Sequence, residues 1–169
     1  MVTTAHQTSS TQDITFSKPT SRDGVAMWEL VRDSRVLDLN SAYLYILLGH
    51  HYSDTCVLAW SDGRLVGMVT GYLPPNRPDL LFIWQIAVSE GARGQGLAKR
   101  LLNRLVDQVG PGIRRIETTV TPDNAPSMGL FRKWATQRGW GLDIQEGFPA
   151  SHFPPGSHEP ERLLRIGPL

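Results

Sequence analysis

Leu80 to Val88 (LLFIWQIAV) is the most apolar strand-forming run in the chain, and it gives way almost at once to Gly91-Ala92-Arg93-Gly94-Gln95-Gly96-Leu97-Ala98. Beyond that turn Leu97, Leu101, Leu105 and Val109 recur every four residues, with Leu102 and Val106 widening the stripe. That is the period of a helix with one buried face, and Gly110-Pro111-Gly112 stops it. A strand so apolar belongs in the middle of a sheet, covered on both sides. A strand, a glycine turn and an amphipathic helix in sequence also demand a crossover over that sheet, which excludes an all-α or all-β fold. Glycines let a backbone approach a ligand closely, and the free N–H groups of a helix start favour an anion. The plain alternative is a tight strand–helix turn with no ligand.

The flanking elements agree. Ile14 to Ser17 reads as a short strand ended by Pro19, and Thr20 or Ser21 can cap a helix to about Asp33 with Val25, Trp28 and Val31 on one face. A second helix runs from a cap at Asn40 or Ser41 to Tyr52. Thr55–Trp60 and Leu65–Tyr72 are β-rich around the hairpin turn Ser61-Asp62-Gly63-Arg64. After the central strand and its helix come a strand at Ile116–Val120, a helix from Asn124 to about Arg138 with Leu130, Phe131 and Trp134 as its apolar face, and strands at Leu142–Gln145 and Leu163–Ile166. The order β-αα-βββ-α-β-α-β-β predicts an α/β fold with a mixed sheet. Residues 14–169 are expected to form one domain and residues 1–13 a disordered tail; with neither Lys nor Arg and no apolar core, that tail reads as neither a signal peptide nor an obvious transit peptide.

Composition removes several function classes. Lys and Arg number 17 against 16 Asp and Glu, a net charge of +1, so no global field recruits nucleic acid or an anionic membrane. The longest apolar run, Ala42 to Leu48, is far short of the ~20 residues that span a bilayer. The one cysteine, Cys56, cannot pair internally, which predicts a reducing, cytoplasmic setting. His50-His51 with Asp54 and Cys56 lacks metal-ligand spacing, so no metal is expected. Arg77, in a Pro-rich loop, reads as solvent-exposed.

Three anion-binding loops can be separated by their residues. A P-loop needs Lys and then Ser or Thr after its last glycine, whereas Leu97 and Ala98 follow Gly96. A dinucleotide fingerprint needs a third glycine where Lys99 stands. Arg93-Gly94-Gln95-Gly96-Leu97-Ala98 instead resembles, in every position, the Arg/Gln-x-x-Gly-x-Gly/Ala pyrophosphate loop of the GCN5-related N-acetyltransferases (GNAT). Thr119-Val120-Thr121-Pro122-Asp123-Asn124 resembles that family's strand-then-Asn segment. The resemblance implies a GNAT fold: a mixed, mostly antiparallel central sheet flanked by helices. It implies acetyl-CoA as co-substrate, with pyrophosphate at Arg93, Gly94, Gln95, Gly96, Leu97 and Ala98. The pantetheine arm would then lie along Ile86, Ala87 and Val88 and beside Asn124, whose other reading is a helix cap. Phe131 stands where the family often has a Tyr that protonates the departing thiolate. A homodimer is implied too, with Trp60, Trp134 and Trp140 as a contact patch.

Leu37-Asp38-Leu39-Asn40-Ser41, Thr70-Gly71-Tyr72, Phe82 to Val88 and Leu164 to Leu169, in that order, further resemble the diaminobutyrate acetyltransferases of ectoine biosynthesis. This resemblance implies acetylation of the 4-amino group of L-2,4-diaminobutyrate in making a compatible solute. Such a substrate carries two ammonium groups and a carboxylate, and carboxylates suit the holding of one ammonium and the deprotonation of the other. Asp38, Asn40 and Trp84 are the expected substrate contacts, against capping for Asp38 and packing for Trp84. Glu161, ahead of Glu159, is the expected base, with His158 to orient it or relay the proton, against a solvated loop. The alternatives are a GNAT enzyme acting on another small amine or polyamine, and an acyl-CoA-binding sensor without catalysis.

Overall fold

The computed structural model describes residues 13–35 and 37–168. Residues 1–12, nearly all of the expected tail, lie outside the described residues. Seven strands and four α-helices follow in the expected order: β1 (Thr15–Ser17), α1 (Gly24–Ser34), α2 (Ala42–His51), β2 (Cys56–Ser61), β3 (Arg64–Tyr72), β4 (Leu80–Val88), α3 (Leu97–Val109), β5 (Arg115–Val120), α4 (Ala125–Arg138), β6 (Leu142–Glu146) and β7 (Arg162–Ile166). They form one sheet in the order β1-β2-β3-β4-β5-β7-β6, parallel only between β4 and β5. That pair is joined through α3, which carries the chain back across the sheet as a parallel connection requires.

The sheet separates two cores. On one side α3 and α4 bury Leu97, Leu101, Leu105, Phe131 and Trp134 against Val57, Val69, Leu81, Ile83 and Ile116. On the other, Met27, Leu30, Val31, Tyr45 and Leu48 of α1 and α2 cover Cys56, Leu58, Met68 and Ala87. Alternate residues of β2 thus serve opposite cores, the period-2 rule of a strand buried on both faces. In β4 the alternation breaks. Leu81 and Ile83 face α3, yet beyond them Ile86 and Val88 pack on that side and Ala87 on the other. The pairing with β3 jumps from Thr70↔Gln85 to Gly71↔Ile83, so Trp84 is the extra residue of a β-bulge. One inserted residue exchanges the two faces of everything after it.

β4 also parts from β5. Their pairing spans only Leu80–Ile83 and Arg115–Thr118, while β3 accompanies β4 to Val88. Thr119 and Val120 pair with β7. The second half of β4 therefore has one strand edge without a partner strand among the described residues, at the mouth of a wedge.

Two expectations need correction. α1 buries Met27, Leu30 and Val31, whereas Val25 is 60% exposed. Close approach to α2 sets its rotation: a Cβ on Gly24 would lie 2.6 Å from Ile46 Cγ1. Trp134 is core, 1% exposed, with its Nε1 donating to Asn103 Oδ1 at 2.8 Å. Trp140 packs edge-on against it, and Trp60, on the distant β2, donates to Ser17 Oγ, so the three tryptophans make no common surface patch. Arg77 is exposed as expected, its side chain 52% accessible, and it is also anchored. Its guanidinium donates two bonds, 3.2 and 3.0 Å, to the buried Glu117 carboxylate, which also accepts from Arg165 at 3.1 Å.

Candidate active site

The wedge between β4 and β5 opens into a cleft of about 420 Å³. Elements far apart in sequence meet there. The α1–α2 connection brings Asp38 and Asn40, the bulged β4 brings Trp84 and Ile86, and the start of α4 brings Asn124. The segment before β7 brings His158, Glu159 and Glu161. Phe131 closes the α4 side and is 3% exposed. A second cavity, about 580 Å³ and walled by Tyr52, Tyr72, Phe82, Phe148 and Phe153, shares Asp38, Trp84, Thr119, His158 and Glu161 with the first. No lysine or arginine lines either cavity among the described residues, so both are chemically suited to an amine.

Local structure explains each placement. Trp84 stands 38% exposed on an otherwise buried strand because the bulge turns it out of the pleat. Asp38 does not cap α2, whose N-cap position is Ser41. Its Oδ2 lies instead 3.1 Å from His158 Nε2. The carbonyl of Glu159 contacts His158 Nδ1 at 2.5 Å, and Phe153 stacks on the imidazole with centroids 4.2 Å apart. Glu161 Oε1 is 3.6 Å from His158 Nε2. Its backbone is pinned between Gly147 N and Phe148 O, one residue before β7 begins. Asn124 caps α4 by accepting from Ser127 N at 3.1 Å, while it also lines the cleft.

Electrostatics set the carboxylates apart. Glu161 has a side chain only 17% exposed, and burial pushes its carboxyl up from the ordinary value. The Thr119 hydroxyl and His158 pull it back, and the Asp38 and Asp123 charges add to the rise. Its Oε2 is buried with no hydrogen-bond partner among the described residues, an acceptor available to a ligand donor. His158 is raised, first by the Glu159 carbonyl and then by Asp38 and Glu161, against the opposing effect of burial. A raised carboxyl beside a raised imidazole is an arrangement able to accept a proton from an amine.

The glycine loop lies outside this cleft, past the end of β4. Gly94 and Gly96 have φ of +75° and +73°, a conformation natural to glycine. A Cβ on either would meet nothing within 4 Å. Arg93 Nε donates to Val88 O at 3.2 Å, tying the loop to the end of β4, and Gln95 Nε2 donates to Gly91 O at 3.0 Å within the loop. The N–H groups of Leu97, Ala98 and Lys99 open α3 and have no intrahelical acceptor. The Leu97 and Ala87 side chains are core, so those positions offer a ligand only their backbone. The loop thus fits an anion at one end of the wedge, and the carboxylates fit an amine at the other.

Sequence reasoning missed Gln85, Tyr45, Thr119 and Phe153. Gln85 carried a signal, being the one polar residue inside LLFIWQIAV. The other three are unexceptional in sequence and matter only through their neighbours in space.

Comparison with known proteins gives these features a family. Residues 24–135 match the acetyltransferase (GNAT) family. The L-2,4-diaminobutyric acid acetyltransferase of Marinococcus halophilus is 44% identical over 161 residues, 95% of this chain and 93% of that one. The enzyme of the same name from Streptomyces coelicolor is 44% identical over 165 residues, 96% and 97% of the two chains. Among solved structures, the diaminobutyrate acetyltransferase EctA from Paenibacillus lautus, in complex with L-2,4-diaminobutyric acid and coenzyme A, superposes with a TM-score of 0.90 at 42% identity, covering 93% of this chain and 96% of that one. The ribosomal-protein-S18-alanine N-acetyltransferase of Escherichia coli shares the fold alone, with a TM-score of 0.65 at 17% identity. The loop, the splayed strands and these relatives agree: the chain belongs to the L-2,4-diaminobutyric acid acetyltransferase family of GNAT acetyltransferases.

Proposed function

We propose that this protein transfers acetyl from acetyl-CoA to the 4-amino group of L-2,4-diaminobutyrate, giving N4-acetyl-L-2,4-diaminobutyrate. The observation that carries the reading is the convergence of Asp38, Trp84, His158 and Glu161 on one cleft beside the open edge of β4. Acetyl-CoA supplies the acetyl thioester. In this reading the Gly94–Ala98 backbone and Arg93 hold its pyrophosphate, and the unpaired edge of Ile86 to Val88 holds the pantetheine amides with Asn124 beside it. A backbone N–H at that edge polarises the thioester carbonyl, and a donor so placed is worth ~3 kcal/mol to an oxyanion-like transition state.

On the amine side, Asp38 and the Trp84 face receive the ammonium that is not acetylated. Glu161 accepts the proton of the reacting ammonium, and His158, held by Asp38 and the Glu159 carbonyl, orients that carboxylate. Transfer is direct, without an acetyl-enzyme: the freed amine forms the N–C bond at the thioester carbonyl, the C–S bond breaks, and coenzyme A leaves as a thiolate that takes up the second proton shed by the nitrogen. Cys56 is fully buried, and burial pushes its thiol up to about 12, which leaves it no thiolate at neutral pH. The protein works as a cytoplasmic homodimer in the making of ectoine. The deciding experiment is an acetylation screen over diaminobutyrate, ornithine, lysine and putrescine with the product mapped by NMR. N4-acetylation of diaminobutyrate well ahead of the others supports the reading. Preference for putrescine would shift it to a polyamine acetyltransferase, and no thiol release with any amine would leave an acyl-CoA-binding sensor.

A further inference from the structure

We propose that Gln85 is a positioning residue: its side-chain amide, braced by Tyr45, holds the α1–α2 connection against β4 so that the Asp38 carboxylate reaches His158. The inference rests on the functional reading above only for its kinetic consequence. Residues 37–41 have no regular secondary structure, and nothing in an irregular segment fixes a side chain by itself. The Asp38 side chain is 80% exposed, so packing does not hold it either. What holds the segment is its backbone. The Asp38 carbonyl accepts from Gln85 Nε2 at 3.0 Å, its one bond to the sheet among the described residues, and more distantly from Asn40 Nδ2 of its own segment at 3.4 Å.

The orientation of that amide is dictated. The Asp38 carbonyl can only accept, so the NH₂ group must face it, and Gln85 Oε1 is left to accept from Tyr45 OH at 3.0 Å. Gln85 is 9% exposed and Tyr45 fully buried, so both partners sit where an unmade bond is costly. The Gln85 backbone is fixed in turn: its N–H donates to Thr70 Oγ1 at 3.3 Å, on the β3 residue paired with it. The bulge at Trp84 sets the phase that sends Gln85 toward α2 while Trp84 stands in the cleft. One irregularity in β4 thus aims two side chains at the same site, one facing ligand and one facing the segment that carries Asp38.

The groups around His158 are Asp38 from the α1–α2 connection, the Glu159 carbonyl and Glu161 from its own segment, and the Phe153 ring stacked on it. Only Asp38 depends on Gln85. The test follows from that dependence. Gln85→Met keeps an unbranched chain of similar volume but neither donates nor accepts. NMR titration of His158 in the ligand-free protein should show its pKa falling toward the ordinary value of about 6.5. The KM for diaminobutyrate should rise on the order of tenfold, the effect of one lost hydrogen bond, with KM for acetyl-CoA unchanged. In an Asp38→Asn background Gln85→Met should add almost nothing, since both act through one carboxylate. Tyr45→Phe, which removes the hydroxyl that braces Gln85 and meets Asn40 of the same segment, should move His158 the same way by less, and it serves if Gln85→Met does not fold. A folded variant whose His158 titrates as in the wild type overturns the inference, as does equal loss for both substrates or full additivity with Asp38→Asn. Failure of the wild-type enzyme to acetylate diaminobutyrate would refute the functional reading, and the His158 titration would still test the role of Gln85 independently.

Discussion

Glu161 illustrates how one side chain can serve chemistry against stability. Burial raises its carboxyl, so the folded protein binds that proton more tightly than the unfolded chain does. Stability linked to this group therefore falls as pH climbs from the unfolded value, about 4.3, through the raised folded one, and its charge opposes folding at neutral pH. Glu161→Gln keeps the shape and removes the charge. We expect kcat to drop on the order of a hundredfold or more, with part of the loss recovered at high pH where the free amine is commoner. The melting temperature at pH 8 should not fall. Wild-type turnover between pH 7 and 9 would sink the assignment of the base. Asp38 acts on stability through His158, whose raised pKa gives stability that is complete below the unfolded histidine value of about 6.5 and fades as pH rises through the folded one. Asp38→Ala should then melt lower than wild type at pH 6 and level with it at pH 9. Its affinity for diaminobutyrate should fall by about one to two decades, since a charge-assisted bond contributes ~1.5–3 kcal/mol. Acetyl-CoA affinity, followed by calorimetry, should hold; equal loss of both ligands would make Asp38 merely structural.

At the scale of elements, the loop before α3 and the wedge beside β4 are separable devices. The loop depends on backbone that no side chain may obstruct. Gly96 has φ +73°, with empty space where a Cβ would go, so a substitution there strains the backbone by ~1–2 kcal/mol without a clash. Gly96→Asp should therefore still fold, while its negative charge meets a phosphate at the helix start. Acetyl-CoA binding should be abolished in calorimetry, and Gly96→Asn, which tolerates the same φ without charge, should retain much of it. A folded Gly96→Asp enzyme of unchanged affinity would move the pyrophosphate elsewhere. The wedge depends on β4 pairing with β5 for four residues and then diverging. A sheet paired over its full length would leave no edge for a ligand, so the open edge follows from pairing that stops early.

For the whole molecule, the sheet between two cores makes site and fold one cooperative unit. Leu101 lies fully buried at the centre of the α3 core, and a Cβ on Gly67 of β3 would come within 3.0 Å of its Cδ1. Leu101→Ala leaves a cavity where helix and sheet meet, and chemical denaturation should show a loss of ~2–5 kcal/mol. The transition should remain single, with Trp fluorescence and helical ellipticity falling together. Separate transitions would mean that the α1–α2 side is stable without α3.

Much of this was legible in the chain because it is local. The extent of β4, the amphipathic face of α3, the Asp62-Gly63 hairpin and the Gly94–Gly96 loop each follow from periodicity or backbone chemistry within a dozen residues. The gathering of Asp38, Trp84 and Glu161 was legible only through resemblance to relatives, since no local rule joins residues so far apart in sequence. Three things were decided by the tertiary structure alone. The bulge at Trp84 arises from the register between two strands, which neither strand encodes singly. The capture of Arg77 by Glu117 depends on what packs across from it. The state of Glu161 depends on its being enclosed beside Thr119, His158 and Asp38, because a pKa responds to dielectric and neighbouring charge in space rather than to sequence. Local chemistry determined the elements and the loop; the proximity of distant groups, created only when the sheet assembled, determined the site.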